Sequence, residues 1–203
     1  MNRSINFRSI RGQKVSKQDL RVIKTKENLH KALLELLNEK NLGDISITEI
    51  CKRARINRGT FYLHYGQVED LFEEYFKEIT IDLSNAYKEP YRRVEILKVD
   101  ELDSSTIRIF HHIEKFKSFY EIVFSRKVPL RYYYMLFDEI YALFMSDMDK
   151  QEAQHFNDEM FVSYQTNAII GMIINWYNHD FSYSADYMKE QLVKILQVIK
   201  KDH

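Results

Sequence analysis

The stretch S-I-T-E-I-C-K-R-A-R-I-N-R-G-T-F-Y-L-H-Y, Ser46 to Tyr65, reads as two short helices hinged at Arg55 and Ile56. Ser46 followed three residues later by Glu49 is a capping box, in which the hydroxyl accepts from the third helical N–H and the carboxylate reaches back to the cap. Ile45 before the cap and Ile50 at the fourth helical position form a hydrophobic staple, so a helix starts at Ile47. Ile47, Ile50, Cys51 and Ala54 share one apolar face, and the small Ala54 admits a second helix at close range. Asn57 is a good N-cap for that second helix, with Arg58 and Gly59 in its first turn and Phe61 and Tyr65 four apart on one side. The other side carries Arg58, Thr60, Tyr62 and His64, all able to donate hydrogen bonds to phosphates or base edges. An aromatic back and a short polar front suit a helix entering the major groove, about 12 Å wide. The same hairpin also occurs in proteins that bind no DNA, so charge has to be weighed beside it.

The chain is neutral, with 30 basic and 30 acidic residues among 203. Residues 1–65 nevertheless hold 14 Lys/Arg against 6 Asp/Glu, and residues 66–203 hold 16 against 24. Such a split points to a nucleic-acid end and a different body. Within the first 31 residues Arg3, Arg8, Arg11, Lys14, Lys17, Arg21, Lys24, Lys26 and Lys31 face only Asp19 and Glu27. Residues 1–18 read as a basic arm suited to a polyanion, or as a solvated tail. Arg21, Lys24 and Lys26 open the first helix and are candidates for the phosphate track.

Three strings in this order, T-K-E-N-L-H-K-A-L-L-E-L-L (Thr25 to Leu37), S-I-T-E-I-C-K-R-A, and N-R-G-T-F-Y-L-H-Y followed by E-D-L, resemble the TetR family of bacterial transcriptional regulators. The resemblance runs from about Arg21 to Ile79. It implies DNA contacts at Arg58, Gly59, Thr60, Tyr62 and His64 on the recognition helix and at Thr48 on the helix before it, with Phe61 and Tyr65 as the buried aromatic pair. Gly59 has a physical reason of its own, since a residue without a side chain lets the helix backbone approach DNA closely. Two positions depart from the pattern. Arg55 stands where the family usually turns on Gly, and a left-handed non-Gly residue costs on the order of 1 kcal/mol, to be offset on phosphate or by a different turn. Gln67 and Val68 replace the usual small cap and Lys, leaving only the N–H groups of the following helix to hold a phosphate there.

The remainder has 5 Gly, 2 Pro and no strand-like alternation, so the expected fold is all-α: a three-helix helix-turn-helix domain at 19–66 after the arm, then a larger helical effector and dimerisation domain at 67–203. The spacing predicts helices over 19–39, 47–54, 58–65, 68–88, 104–124, 129–149, 155–178 and 184–201, with breaks at Pro90, the polar run Lys98 to Ser105, and Pro129. A single Cys, no signal-peptide pattern and no apolar run of membrane length lead to the expectation of a cytoplasmic protein that touches no membrane. Cys51 is read as a small core residue. No metal or other cofactor is expected: adjacent His111 and His112 diverge by about 100° on a helix and suit no shared metal ion. No Gly-rich phosphate loop, H-E-x-x-H or G-x-S-x-G is present to carry catalysis, so an enzyme is not expected.

Leu192, Ile195, Leu196 and Ile199 recur at helical spacing, and Phe161, Tyr164, Ala168, Gly171, Met172 and Trp176 load the preceding helix with apolar surface. Small Ala168 and Gly171 permit close approach. These two helices are expected to form a four-helix homodimer interface, which the family resemblance also implies, because a palindrome reader needs a two-fold pair. The body holds most of the 14 Tyr, 13 Phe and 7 Met. Phe110, His111, Phe116, Tyr120, Phe124, Tyr133 and Trp176 are the candidates for a ligand pocket, although aromatics at this spacing equally make a plain core. F-Y-E-I-V-F-S (Phe119 to Ser125) and G-M-I-I-N-W-Y-N-H-D-F (Gly171 to Phe181) are similar to a Gram-positive subgroup of the family. The function expected is a dimeric regulator, a repressor of a palindromic operator released by a small ligand. The alternative is an activator or co-regulator whose body docks a protein and has no small-molecule pocket.

Overall fold

The computed structural model describes residues 17–89, 107–148 and 157–201, all side chains among them included except those of 17, 18 and 199–201. Most of the basic arm, Pro90 and the polar run from Lys98 to Ser105 lie outside the described residues. Among those described the secondary structure is helical: α1 (Lys17–Glu39), a 3-10 turn (Leu42–Asp44), α2 (Ile47–Ala54), α3 (Arg58–Tyr62), α4 (Val68–Lys88), α5 (Ile109–Lys115), α6 (Lys117–Phe124), α7 (Arg131–Met148), α8 (Asp158–Asn178) and α9 (Ala185–Lys201). The chain divides into two compact units, Met1–Tyr75 and Phe76–His203, at a boundary that falls inside α4 rather than at the 66/67 turn where composition changes.

In the first unit Leu29, Ala32, Leu33, Leu36 and Leu37 of α1 are all buried. Their spacing of three and four places them in one stripe, which is why this segment is a helix with a single core-facing side. α1 packs on α2 and α2 on α3. The expected start of α2 is present in full: Glu49 N–H donates to Ser46 Oγ at 3.3 Å and Ser46 N–H to Glu49 Oε2 at 2.9 Å. Ile45 and Ile50 are buried beside it. Lys40, with the Ser46 N–H and hydroxyl, holds the Glu49 carboxyl at about 2. Arg53 reaches back to Glu39 at 2.9 Å and fastens α2 to α1.

The second unit has an aromatic centre. Phe110, Phe119, Tyr120, Tyr132 and Trp176 are fully buried, and α7 lies along α8 while α5 meets α9. Trp176 rests edge-on against Phe110 and Phe181, and its indole N–H donates to Tyr183 O at 3.0 Å. The single helix expected over 104–124 is two among the described residues, broken at Phe116 (φ −108, ψ 29). No Gly or Pro marks the break. Its reason is a long-range polar link: His112 Nδ1 donates to Asp82 Oδ1 at 2.8 Å and His112 Nε2 accepts from Tyr120 O–H at 2.9 Å. Eight residues of unbroken helix would separate His112 from Tyr120 by about 12 Å along the axis, and the bend brings ring and hydroxyl together. Asn157 caps α8 by accepting from Met160 N–H at 2.8 Å.

Candidate nucleic-acid interface

The turn between α2 and α3 is built on Arg55 in the left-handed conformation (φ 56, ψ 46), its N–H directed at Cys51 O and Lys52 O. The departure from glycine is therefore accommodated in the ordinary turn geometry, with the strain retained. Asn57 takes the N-cap position with extended backbone, but its side chain makes no capping bond. α3 ends at Tyr62, three residues before the expected Tyr65. His64 N–H turns back to Phe61 O at 2.9 Å, and this tightened turn carries the buried Tyr65 hydroxyl onto Glu74.

Phe61 and Tyr65 form the back of α3, both buried, with ring centroids 5.5 Å apart. The front is open. Arg58 is exposed and donates to Tyr62 Oη at 3.3 Å, and Tyr62 is 51% exposed. This i, i+4 pair holds a guanidinium and a phenol together on the outer side. Thr60 and His64 are half-buried at its margin, and Thr48 is exposed in the first turn of α2. A Cβ built on Gly59 would meet nothing within 4 Å, so no contact inside the protein requires glycine. A helical glycine costs about 1 kcal/mol relative to Ala. Leu63, which the motif reading leaves without a role, is the most exposed large apolar side chain described, at 79%.

Of the three candidate phosphate contacts on α1, Arg21 and Lys24 are exposed. Lys26 is paired with Glu74, which also accepts from Tyr65 O–H and lies 3.6 Å from His30 Nε2. His30, Lys26 and Tyr65 together hold the Glu74 carboxyl at about 2. The N-terminus of α4 is also occupied. Asp70 Oδ2 accepts from Gly66 N–H at 2.8 Å and Gln67 N–H at 3.1 Å, the two residues before the helix, so a carboxylate already sits at this N-terminus. Asp at the third helical position is the sequence signal for this cap.

In the body, Phe110, Phe116, Tyr120 and Trp176 are buried, whereas His111, Phe124 and Tyr133 are half-buried at the rim. Phe124 touches Tyr120, Tyr133 and Tyr177. Along α8 and α9, Ala168, Gly171, Met172 and Ile195 line a shallow groove with Tyr183, Tyr187 and Met188. Tyr164 is exposed beyond it, Phe161, Leu192 and Leu196 are half-buried, and the side chain of Ile199 lies outside those described. Among the described residues no cluster of three or more His, Cys, Asp or Glu is placed to hold a metal ion, and no helix is long and apolar enough to cross a membrane.

Comparison with known proteins agrees with this architecture. Residues 29–75 match the model described as "Bacterial regulatory proteins, tetR family", and residues 100–198 match that of a "Transcriptional regulator C-terminal region". The chain belongs to the TetR family of transcriptional regulators, whose members act through an N-terminal helix-turn-helix and are not enzymes. It is 18% identical to an uncharacterised HTH-type transcriptional regulator, YxbF of Bacillus subtilis, over 81% of this chain, and spans 43% of the length of that relative. It is 27% identical to the HTH-type transcriptional regulator SAB2452 of Staphylococcus aureus, over 62% of this chain and 76% of the relative. The solved structure of the dihydroxyacetone kinase operon activator DhaS superposes with a TM-score of 0.61 over 88% of this chain and 97% of its own, at 19% identity.

Proposed function

We propose that the chain is a dimeric repressor that reads a palindromic operator and is released by a small ligand bound in its helical body. The observation that carries the DNA half of this reading is the front of α3: Arg58 and Tyr62 held outward as a pair, over a buried aromatic back and beside a glycine that nothing inside the protein requires. Thr48, Thr60 and His64 flank the pair, and Arg21, Lys24 and Arg55 supply phosphate contacts. Lys26 is left out of this set because Glu74 holds it. The groove between α8 and α9, lined mostly by apolar and small side chains with Asn175 and Gln191 among them, supports the two-fold pairing. The half-buried rim of Phe124, Tyr133 and His111 is the proposed entrance for an apolar effector, whose preference for one body conformation would shift the spacing of the two recognition helices.

A second reading rests on the four pocket candidates that are buried, Phe110, Phe116, Tyr120 and Trp176. A body with a filled centre acts through protein contact and needs no effector, and DhaS, with the same fold, is described as an activator. The deciding experiment is a titration against the DNA flanking the gene at two salt concentrations, followed by a melting-temperature screen of small apolar compounds. Saturable, sequence-selective binding of two chains per palindrome supports the regulator. Weak, salt-sensitive binding without selectivity sinks the operator reading. A compound that raises the melting temperature and releases the DNA supports the ligand-responsive reading over the one without an effector.

A further inference from the structure

Leu63 follows Tyr62 at the end of α3, and its N–H donates to Gly59 O at 3.2 Å, which stacks the two residues one turn apart on the same side. The outer surface of α3 is thus two adjacent columns. One is Arg58 and Tyr62, rich in hydrogen-bonding groups. The other is bare at its base, where Gly59 has no side chain, and apolar at its end, where Leu63 is 79% exposed. Single exposed apolar residues are ordinary on protein surfaces. Leu63 differs in its place: the other outward side chains of this short helix are polar, and the open ground at Gly59 lets a base edge come close enough to touch it. In the major groove the base pairs present one apolar group, the C5 methyl of thymine.

We propose that Leu63 reads a thymine: on docking, its side chain packs against the C5 methyl of one thymine in each half-site and selects thymine over cytosine at that position. The inference rests on α3 entering the major groove, and it adds to that reading a base identity and the residue that sets it. The hydrogen-bonding column positions and reads polar edges, while the leucine reads the one feature that hydrogen bonds miss.

The test uses a duplex selected from a random pool by the full wild-type chain, in which each thymine is replaced in turn by deoxyuridine. Deoxyuridine keeps every hydrogen-bonding group of thymine and lacks only the methyl. The wild-type chain is expected to lose about 4-fold in affinity at the contacted thymine, and on the order of 15-fold when both half-sites are replaced. Leu63→Ala and Leu63→Ser are expected to bind the thymine and deoxyuridine duplexes alike. Both variants replace an exposed side chain, and an unchanged melting curve verifies their fold. Equal deoxyuridine sensitivity in wild type and variants, or no sensitivity of the wild type at any thymine, overturns the proposal and leaves operator binding intact. A pool that yields no selected duplex removes the DNA-binding reading, and this proposal with it.

Discussion

Arg55 carries both a strain and a charge. Its left-handed backbone (φ 56) costs on the order of 1 kcal/mol for a residue with a Cβ, a cost that glycine would avoid. Arg55→Gly is therefore expected to stabilise the protein by about 1 kcal/mol in urea denaturation. It is also expected to weaken operator binding and to lower the salt slope by about 1 for each phosphate left without its arginine. A stabilised variant with unchanged binding would show that the arginine touches no phosphate. A drop in stability would refute the strain itself. Local chemistry of this kind is legible in the sequence: Ser46 with Glu49, Ile45 with Ile50 and the Phe61, Tyr65 pair act within one or two helical turns. Lys26 is not legible in the same way, because its partner Glu74 is 48 residues away and nothing at Lys26 announces it. Asp70 is legible in principle, as a third-position carboxylate, but the absence of a lysine at this helix start is the louder signal and points to empty N–H groups instead.

Most helices emerge from periodicity with starts and ends off by three residues or fewer. The exceptions are informative. α3 ends early where the His64 and Tyr65 N–H groups both close on Phe61 O, and the 104–124 segment divides where His112 meets both Asp82 and Tyr120. The Asp82 partner of His112 lies 30 residues away, a tertiary demand that no window of neighbouring residues contains. The link also makes α4, α5 and α6 sensitive to acid. His112, first through its hydrogen bond, and then Lys115 hold the Asp82 carboxyl down at about 2, and burial pushes the His112 imidazole below its ordinary value. Each group then favours the folded state at neutral pH. The histidine contribution is lost as pH falls below 6.5, and the carboxylate contribution as pH falls from 3.8 toward about 2. Asp82→Asn is expected to unfold at lower urea than wild type near neutrality, with the gap closing as pH falls from 3.8 toward about 2. A gap that stays constant across that range would mean that the charge of Asp82 contributes nothing to holding these helices. α8 offers a separate test. A Cβ at Gly171 meets nothing within 4 Å in the protomer, so Gly171→Ala is expected to stabilise the isolated chain by about 1 kcal/mol through helix propensity. If two copies of α8 cross there, the same methyl shifts the monomer–dimer equilibrium toward monomer in sedimentation. Unchanged association would move the proposed interface away from Gly171.

Across the whole chain, the surplus of positive charge in residues 1–65 and of negative charge in the remainder matches the division of labour between a DNA-binding unit and a body. The arm contributes Arg3, Arg8, Arg11, Lys14 and Lys17, so deleting residues 1–18 is expected to lower operator affinity and flatten its dependence on salt, while sequence preference persists. An unchanged slope would make the arm a bystander. The architecture of the body is legible only as a class. Aromatics at helical spacing look the same whether they fill a core or line a cavity, because both need apolar side chains turned inward, and only their mutual packing separates the two. One of those aromatics gives the molecule a property of practical use. Trp176 is the chain's single tryptophan, and Phe110, Phe181 and the Tyr183 carbonyl that surround it all belong to the second unit. Selectively excited indole emission is thus a built-in lamp at the junction of α8 and α9. Far-ultraviolet circular dichroism, by contrast, sums every helix. Denaturation traces recorded by the two signals will coincide if the molecule melts in one step, and will part if the DNA-binding unit and the body each keep a midpoint of their own.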